Sequence, residues 1–122
     1  MTDLERIGGE ERVRQLIRAF VDRMAADFVI GFQFAGKDLD RIAFHEVEHA
    51  TGVLGGPATY TGRSLGMIHE PLRIHRGQFA RRLAVLRTVL TEERVPQEVI
   101  ERWIAHDQQL ESVVASSRDC TS

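Results

Sequence analysis

The sequence predicts an all-α fold, and three observations carry it. Apolar residues recur at three- and four-residue spacing over four long stretches, no segment alternates apolar with polar residues as a half-buried strand does, and the helix-breaking groups Gly8-Gly9, Gly55-Gly56-Pro57 and Pro96 fall between the stretches. Four substantial helices with short additional ones follow. A chain of 122 residues fits one domain spanning 1–122, large enough to bury a single core and enclose one small cofactor.

Taken in order, a short first helix ends at Ile7-Gly8-Gly9, and Glu10-Glu11 place negative charge in the first turn of the next, where the helix dipole favours it. Val13, Leu16, Ile17, Phe20, Val21 and Met24 give that second helix one apolar face through to about Ala26. Phe28 to Ala35, with three phenylalanines and a glycine, reads as a buried corner. Lys37-Asp38-Leu39-Asp40 supplies an acidic start to a third helix, whose i, i+3, i+4, i+7 face holds Ile42, His45, Glu46, His49 and Val53. After Gly55-Gly56-Pro57 comes a loop closed by Thr61-Gly62, then a short apolar segment, Leu65, Met67 and Ile68, ending on His69. Pro71 and a link to Gly77 precede a fourth helix carrying Phe79, Leu83, Leu86, Val89 and Leu90. Val95-Pro96 restarts the chain into a last helix with Val99, Ile100, Trp103, Ile104, Leu110, Val113 and Val114, and from Ser116 to Ser122 a small, polar tail is expected to fray.

Sixteen basic and 18 acidic residues leave a net charge of -2, which implies neither a nucleic acid nor an anionic membrane partner. No stretch approaches the length of a membrane span. Cys120 is the single cysteine and cannot form an internal disulfide, so a reducing, cytoplasmic setting is expected.

The third helix raises the chemical question, because two histidines and a glutamate stand where leucines belong. Burying polar groups without partners costs roughly 1–3 kcal/mol each, so something should satisfy them. One answer is His45-Glu46-Val47-Glu48-His49, which matches the H-E-x-x-H zinc pattern: histidines four apart lie about 40° from each other around a helix and can share a metal. A catalytic zinc would need a third ligand, such as His69 or Glu70, and the edge strand that flanks a protease cleft has no counterpart here. The other answer sets His69 opposite the His45/His49 face with Phe20, Phe34, Phe44 and Phe79 between them, a space suited to a flat apolar cofactor with a central metal, as haem is.

With these pieces in order, the chain resembles the group I truncated haemoglobins from about Leu4 to Val114. The resemblance runs through Ile7-Gly8-Gly9, Phe20, Ala26-Asp27, Phe34-Ala35-Gly36, Leu54-Gly55-Gly56-Pro57, Tyr60-Thr61-Gly62, His69, Phe79 and Val95-Pro96. It implies a two-over-two helical sandwich around haem b, with His69 as the proximal iron ligand and Phe34 packed against the ring. Val21 stands where the group usually has a tyrosine that hydrogen-bonds bound oxygen, and valine cannot donate that bond. Glu46 replaces a common glutamine, and His49 a residue often aromatic or aliphatic. His45 matches the position that in some members binds iron from the distal side and in others reaches a propionate. Three roles therefore stand open for it: sixth ligand, propionate partner or solvated helix residue.

His49 is the second candidate for the distal iron position, or a pocket-edge residue bonded to Glu46 or water. Glu46 either accepts from His45 or His49, fixing a tautomer, or turns outward to Arg41 or Arg63. Phe20, Val21, Phe34, Ile42, Arg63, Met67 and Phe79 complete the expected haem surroundings, with Arg63, Arg73 and Arg76 able to pair with propionates. His75 fits a helix start. Some members attach haem through a histidine on the last helix, but the matching position is Ser112, so no covalent link is expected. The resemblance implies binding or transport of O2 and handling of NO and CO, electron transfer through six-coordinate iron, or an NO dioxygenase activity served by a reductase. The alternatives are a haem-free sensor or interaction module and a zinc site at the H-E-x-x-H motif. Oligomeric state is not readable.

Overall fold

The computed structural model describes residues 1–56 and 76–119, with side chains described for 1–56 and 77–109. Five α-helices and one 310 turn account for the regular structure there: α1 (Asp3–Ile7), α2 (Glu10–Ala25), the 310 turn (Gly31–Phe34), α3 (Leu39–Val53), α4 (Arg76–Glu92) and α5 (Gln97–Asp119). No strand occurs among the described residues.

Local chemistry sets the boundaries. Thr2 caps α1 reciprocally: its hydroxyl accepts from the Glu5 N–H while the Glu5 carboxylate accepts from the Thr2 N–H. Asp38 caps α3 by accepting from the Arg41 N–H at 3.2 Å. At the other end of α3, Gly55 takes a φ of 95°, a left-handed conformation that glycine adopts without strain. There the Leu54 carbonyl accepts from the Leu4 N–H at 2.9 Å, fastening α1 across the end of α3. The fourth helix begins at Arg76, inside the segment expected to be a link, and α5 runs to Asp119, past the expected fraying point at Ser116.

The helices pack as two pairs, α2 with α3 and α4 with α5, stacked by contacts of α2 on α4 and α3 on α5. This is the two-over-two arrangement. The buried face of α2 is Val13, Leu16, Ile17, Phe20, Val21 and Met24, as the spacing required, and it meets Leu86, Val89 and Leu90 of α4 and Val99, Ile100, Trp103 and Ile104 of α5 in one apolar cluster.

The corner between α2 and α3 corrects one expectation. Only Ile30 and Phe34 are buried there; Phe28, Val29 and Phe32 are exposed. The corner is organised by Asp27, whose carboxylate accepts from the N–H groups of Val29 and Ile30 at 2.9 and 3.1 Å and from Arg81 of α4 at 2.7 Å. A polar staple, rather than an aromatic plug, thus ties the corner to α4. Gly31 is required beside it: a Cβ at this position would lie 2.7 Å from the carbonyl oxygen of Ala25.

Gly31→Ala should therefore force backbone movement and destabilise the domain by about 1–3 kcal/mol, read as a lower urea midpoint. The bond from Arg81, aided by the two backbone donors, holds the Asp27 carboxyl down at about 2 from an ordinary 3.8. A carboxyl depressed on folding contributes stability above its unfolded pKa and loses it as pH falls through the folded value. Asp27→Asn should accordingly lower the thermal midpoint at neutral pH, with the deficit fading between about pH 4 and pH 2 in a melting series.

Candidate functional site

On α3 the apolar periodicity is interrupted by His45, Glu46 and His49, and the structure places the last two in the interior. Glu46 is 3% and His49 3% exposed, and both face charged partners that are also buried: Arg82 of α4, 5% exposed, and Asp107 of α5, 3% exposed. Arg82 Nη2 donates to Glu46 Oε2 at 2.9 Å, its Nη1 donates to the Met24 sulfur at 3.7 Å, and its guanidinium carbon lies 5.0 Å from the centre of the Phe20 ring. Burial pulls the Arg82 pKa down, but the charge and hydrogen bond of Glu46, with the charge of Asp107, outweigh it and the net shift is upward. The guanidinium stays charged inside the bundle.

One turn along α3, His49 Nε2 donates to Asp107 Oδ1 at 3.0 Å. With the carboxylate as acceptor, the proton of this bond is on Nε2, and the buried Nδ1 has no hydrogen-bond partner among the described residues. Two facing pairs, Glu46 with Arg82 and His49 with Asp107, therefore form a polar layer linking α3 to both helices of the opposite pair.

His45 is placed differently. Its side chain is 17% exposed, Nδ1 lies 3.5 Å from Glu48 Oε1 on its own helix, and the ring meets the Phe44 ring edge to face at 5.6 Å. Among the described residues His49 is brought together with His106 and Asp107, while His45 faces Glu48 on its own helix; His69 and Glu70, the third ligands considered for the H-E-x-x-H motif, lie outside the described residues. Glu46 bonds Arg82, a partner outside the set considered from sequence, and Asp107 takes the place expected of Glu46 or water beside His49.

Of the other expected haem neighbours, Phe20, Val21, Phe34 and Phe79 are buried and Ile42 is half-buried, whereas Phe44 is exposed and turned outward. Phe44 lines a groove of about 450 Å³ between α2 and α3, together with Arg14, Arg18, Ala43, Val47 and Thr51. At 100° per residue these α3 positions lie on the side of the helix away from Glu46 and His49. His69, Met67, Arg63, Arg73, His75 and Tyr60 lie outside the described residues, as do the side chains of Arg76 and Ser112.

Arg82 and Asp107 are the site residues that the sequence reading missed. Each had a signal: Arg82 falls three residues after Phe79 and four before Leu86, and Asp107 falls three after Ile104 and four after Trp103, so both interrupt an apolar stripe in register with the interruption on α3.

Residues 2–116 match the family model described as bacterial-like globin. A group 1 truncated haemoglobin of Mycolicibacterium paratuberculosis is 31% identical over 79% of this chain and 71% of its own length. This chain belongs to the group 1 truncated haemoglobins. Its fold superposes on the ferric truncated haemoglobin of Tetrahymena pyriformis with a TM-score of 0.81 at 23% identity, covering 94% of this chain and 97% of the other. It superposes on the 2/2 haemoglobin of Synechococcus, a cyanomet form with covalently attached haem, with a TM-score of 0.87 at 22% identity, covering 95% and 99%. Within this globin, the bundle carries an ion pair and an imidazole-carboxylate pair at its centre.

Removing one member of a buried ion pair strands the other charge. Arg82→Met alone should cost about 3–5 kcal/mol, whereas Glu46→Leu combined with Arg82→Met should regain most of that loss. Urea unfolding of the two single variants and the double variant gives the coupling directly.

Proposed function

We propose that this globin binds haem b with His69 as the proximal ligand and His45 as the distal one, and that it handles O2, NO and CO or passes electrons through the iron. The family membership supports haem binding. The position of Glu48 beside His45 is the observation that carries the distal assignment. A carboxylate 3.5 Å from Nδ1 favours the proton on that nitrogen and leaves the Nε2 lone pair for a metal, the usual way in which an outer carboxylate tunes a ligating histidine. His49, the rival, points its Nε2 to Asp107 on α5 at 3.0 Å.

The residues present fit the group. Phe34 and Phe79 supply aromatic surface, Ile42 an aliphatic edge, and His45 a nitrogen donor on α3. When bound, haem supplies an iron that takes up a diatomic ligand or exchanges an electron. The chain's own groups set the conditions around it. Val21 offers no hydrogen bond, and Glu46 is neutralised by Arg82, so its carboxylate is spent on the fold. His45 is tethered only within α3 among the described contacts, so it can swing away without opening the core. Under this reading its departure gates ligand entry, and an NO dioxygenase cycle calls for a reductase partner to restore the ferrous state.

Absorption spectra of the haem-loaded protein, ferric and dithionite-reduced, test the assignment. Low-spin bands are expected in both states, with His45→Ala converting them to high-spin or five-coordinate bands and His49→Ala leaving them low-spin. Low-spin bands that survive His45→Ala but vanish with His49→Ala would reverse the order of the two histidines, and failure to take up haem would remove the reading altogether.

A further inference from the structure

His49 of α3 stands beside His106 and Asp107 of α5, a grouping that shares one histidine with the H-E-x-x-H motif and leaves out His45. We infer that His49, His106 and Asp107 bind one divalent cation of the zinc class, clipping the two helices together. Their ligand atoms all lie within 4.8 Å of one another. His49 Nε2 is 3.0 Å and His106 Nδ1 3.7 Å from Asp107 Oδ1. A tetrahedral zinc with bonds of ~2.0–2.1 Å separates its ligand atoms by roughly 3.3 Å, so the two measured edges bracket the required value. The third edge closes by rotation of His106, whose side chain is 47% exposed and whose ring centre is 5.7 Å from that of His49.

Among the described residues, Glu46 and Asp107 bring carboxylates to this layer and Arg82 a guanidinium that bonds Glu46. Asp107, whose charge also acts on Arg82, lies beside both imidazoles in a buried setting. The unpartnered Nδ1 of His49 shows that its hydrogen bonding is unfinished. A cation held at Nε2 calls for the Nδ1–H tautomer of His49. Two imidazoles and a carboxylate are a borderline donor set suited to Zn²⁺ rather than to Mg²⁺ or Ca²⁺.

Equilibrium dialysis of the full chain against Zn²⁺, with metal and haem measured in the same samples, tests this site. The expected result is one zinc per chain at micromolar free metal, a raised thermal midpoint on loading, and a loss of about tenfold or more in affinity for His106→Gln. Because His106 is exposed, that variant keeps the fold, and His49→Gln supplies the buried counterpart. His45→Gln should bind zinc as the parent does. Absence of stoichiometric zinc, or zinc retained in both His106→Gln and His49→Gln, overturns the site; loss in His45→Gln with retention in His106→Gln assigns the metal to the sequence motif instead. The haem content of each sample reports separately on the haem reading.

Discussion

The ion pair between Glu46 and Arg82 is the constraint around which the interior of this globin is arranged. Each charge leaves water at a cost of several kcal/mol, and each is offset by the other, 2.9 Å away. That mutual dependence fixes α3 against α4 more narrowly than apolar contact would, since leucine-like surfaces slide at small cost whereas a hydrogen-bonded charge pair does not. Arg82 adds a packing role, because its guanidinium covers the Phe20 ring and joins the polar layer to the apolar face of α2.

Two adjacent arginines on α4 divide the work of joining the helical pairs. Arg81 reaches Asp27 and secures the corner that leads into α3, and Arg82 reaches Glu46 in the middle of α3. His49 and Asp107 complete the set by tying α3 to α5. The third helix is therefore tied by buried polar contacts to both members of the opposite pair, while the buried face of α2 is wholly apolar. This division matters for chemistry: α3 carries the histidines, and its setting determines which of them can reach a metal. His49 is drawn inward by Asp107, and His45 remains at the edge with a carboxylate on its own helix.

Much of the fold was legible because it rests on periodicity. The faces of α2, α4 and α5 were readable from spacing alone, and the caps at Thr2 and Asp38 and the glycine at the end of α3 follow from residue type and backbone preference. The corner from Phe28 to Ala35 was less legible, since three aromatic residues suggest burial while a short chain path gives only alternate positions access to the core. Phe44 misled for a related reason: hydrophobicity marks what a residue prefers, not which side of a helix it occupies.

The sequence by itself determined the all-α class, the order of the helices, the family and the presence of unusual polar groups on the inner face of α3. Those properties are local or are carried by residue type at fixed spacing. Only the tertiary structure decided the partners. Glu46 meets Arg82 across 36 positions and His49 meets Asp107 across 58, and a long-range pairing of charges depends on the packing angle and register of whole helices, which no short window of sequence encodes.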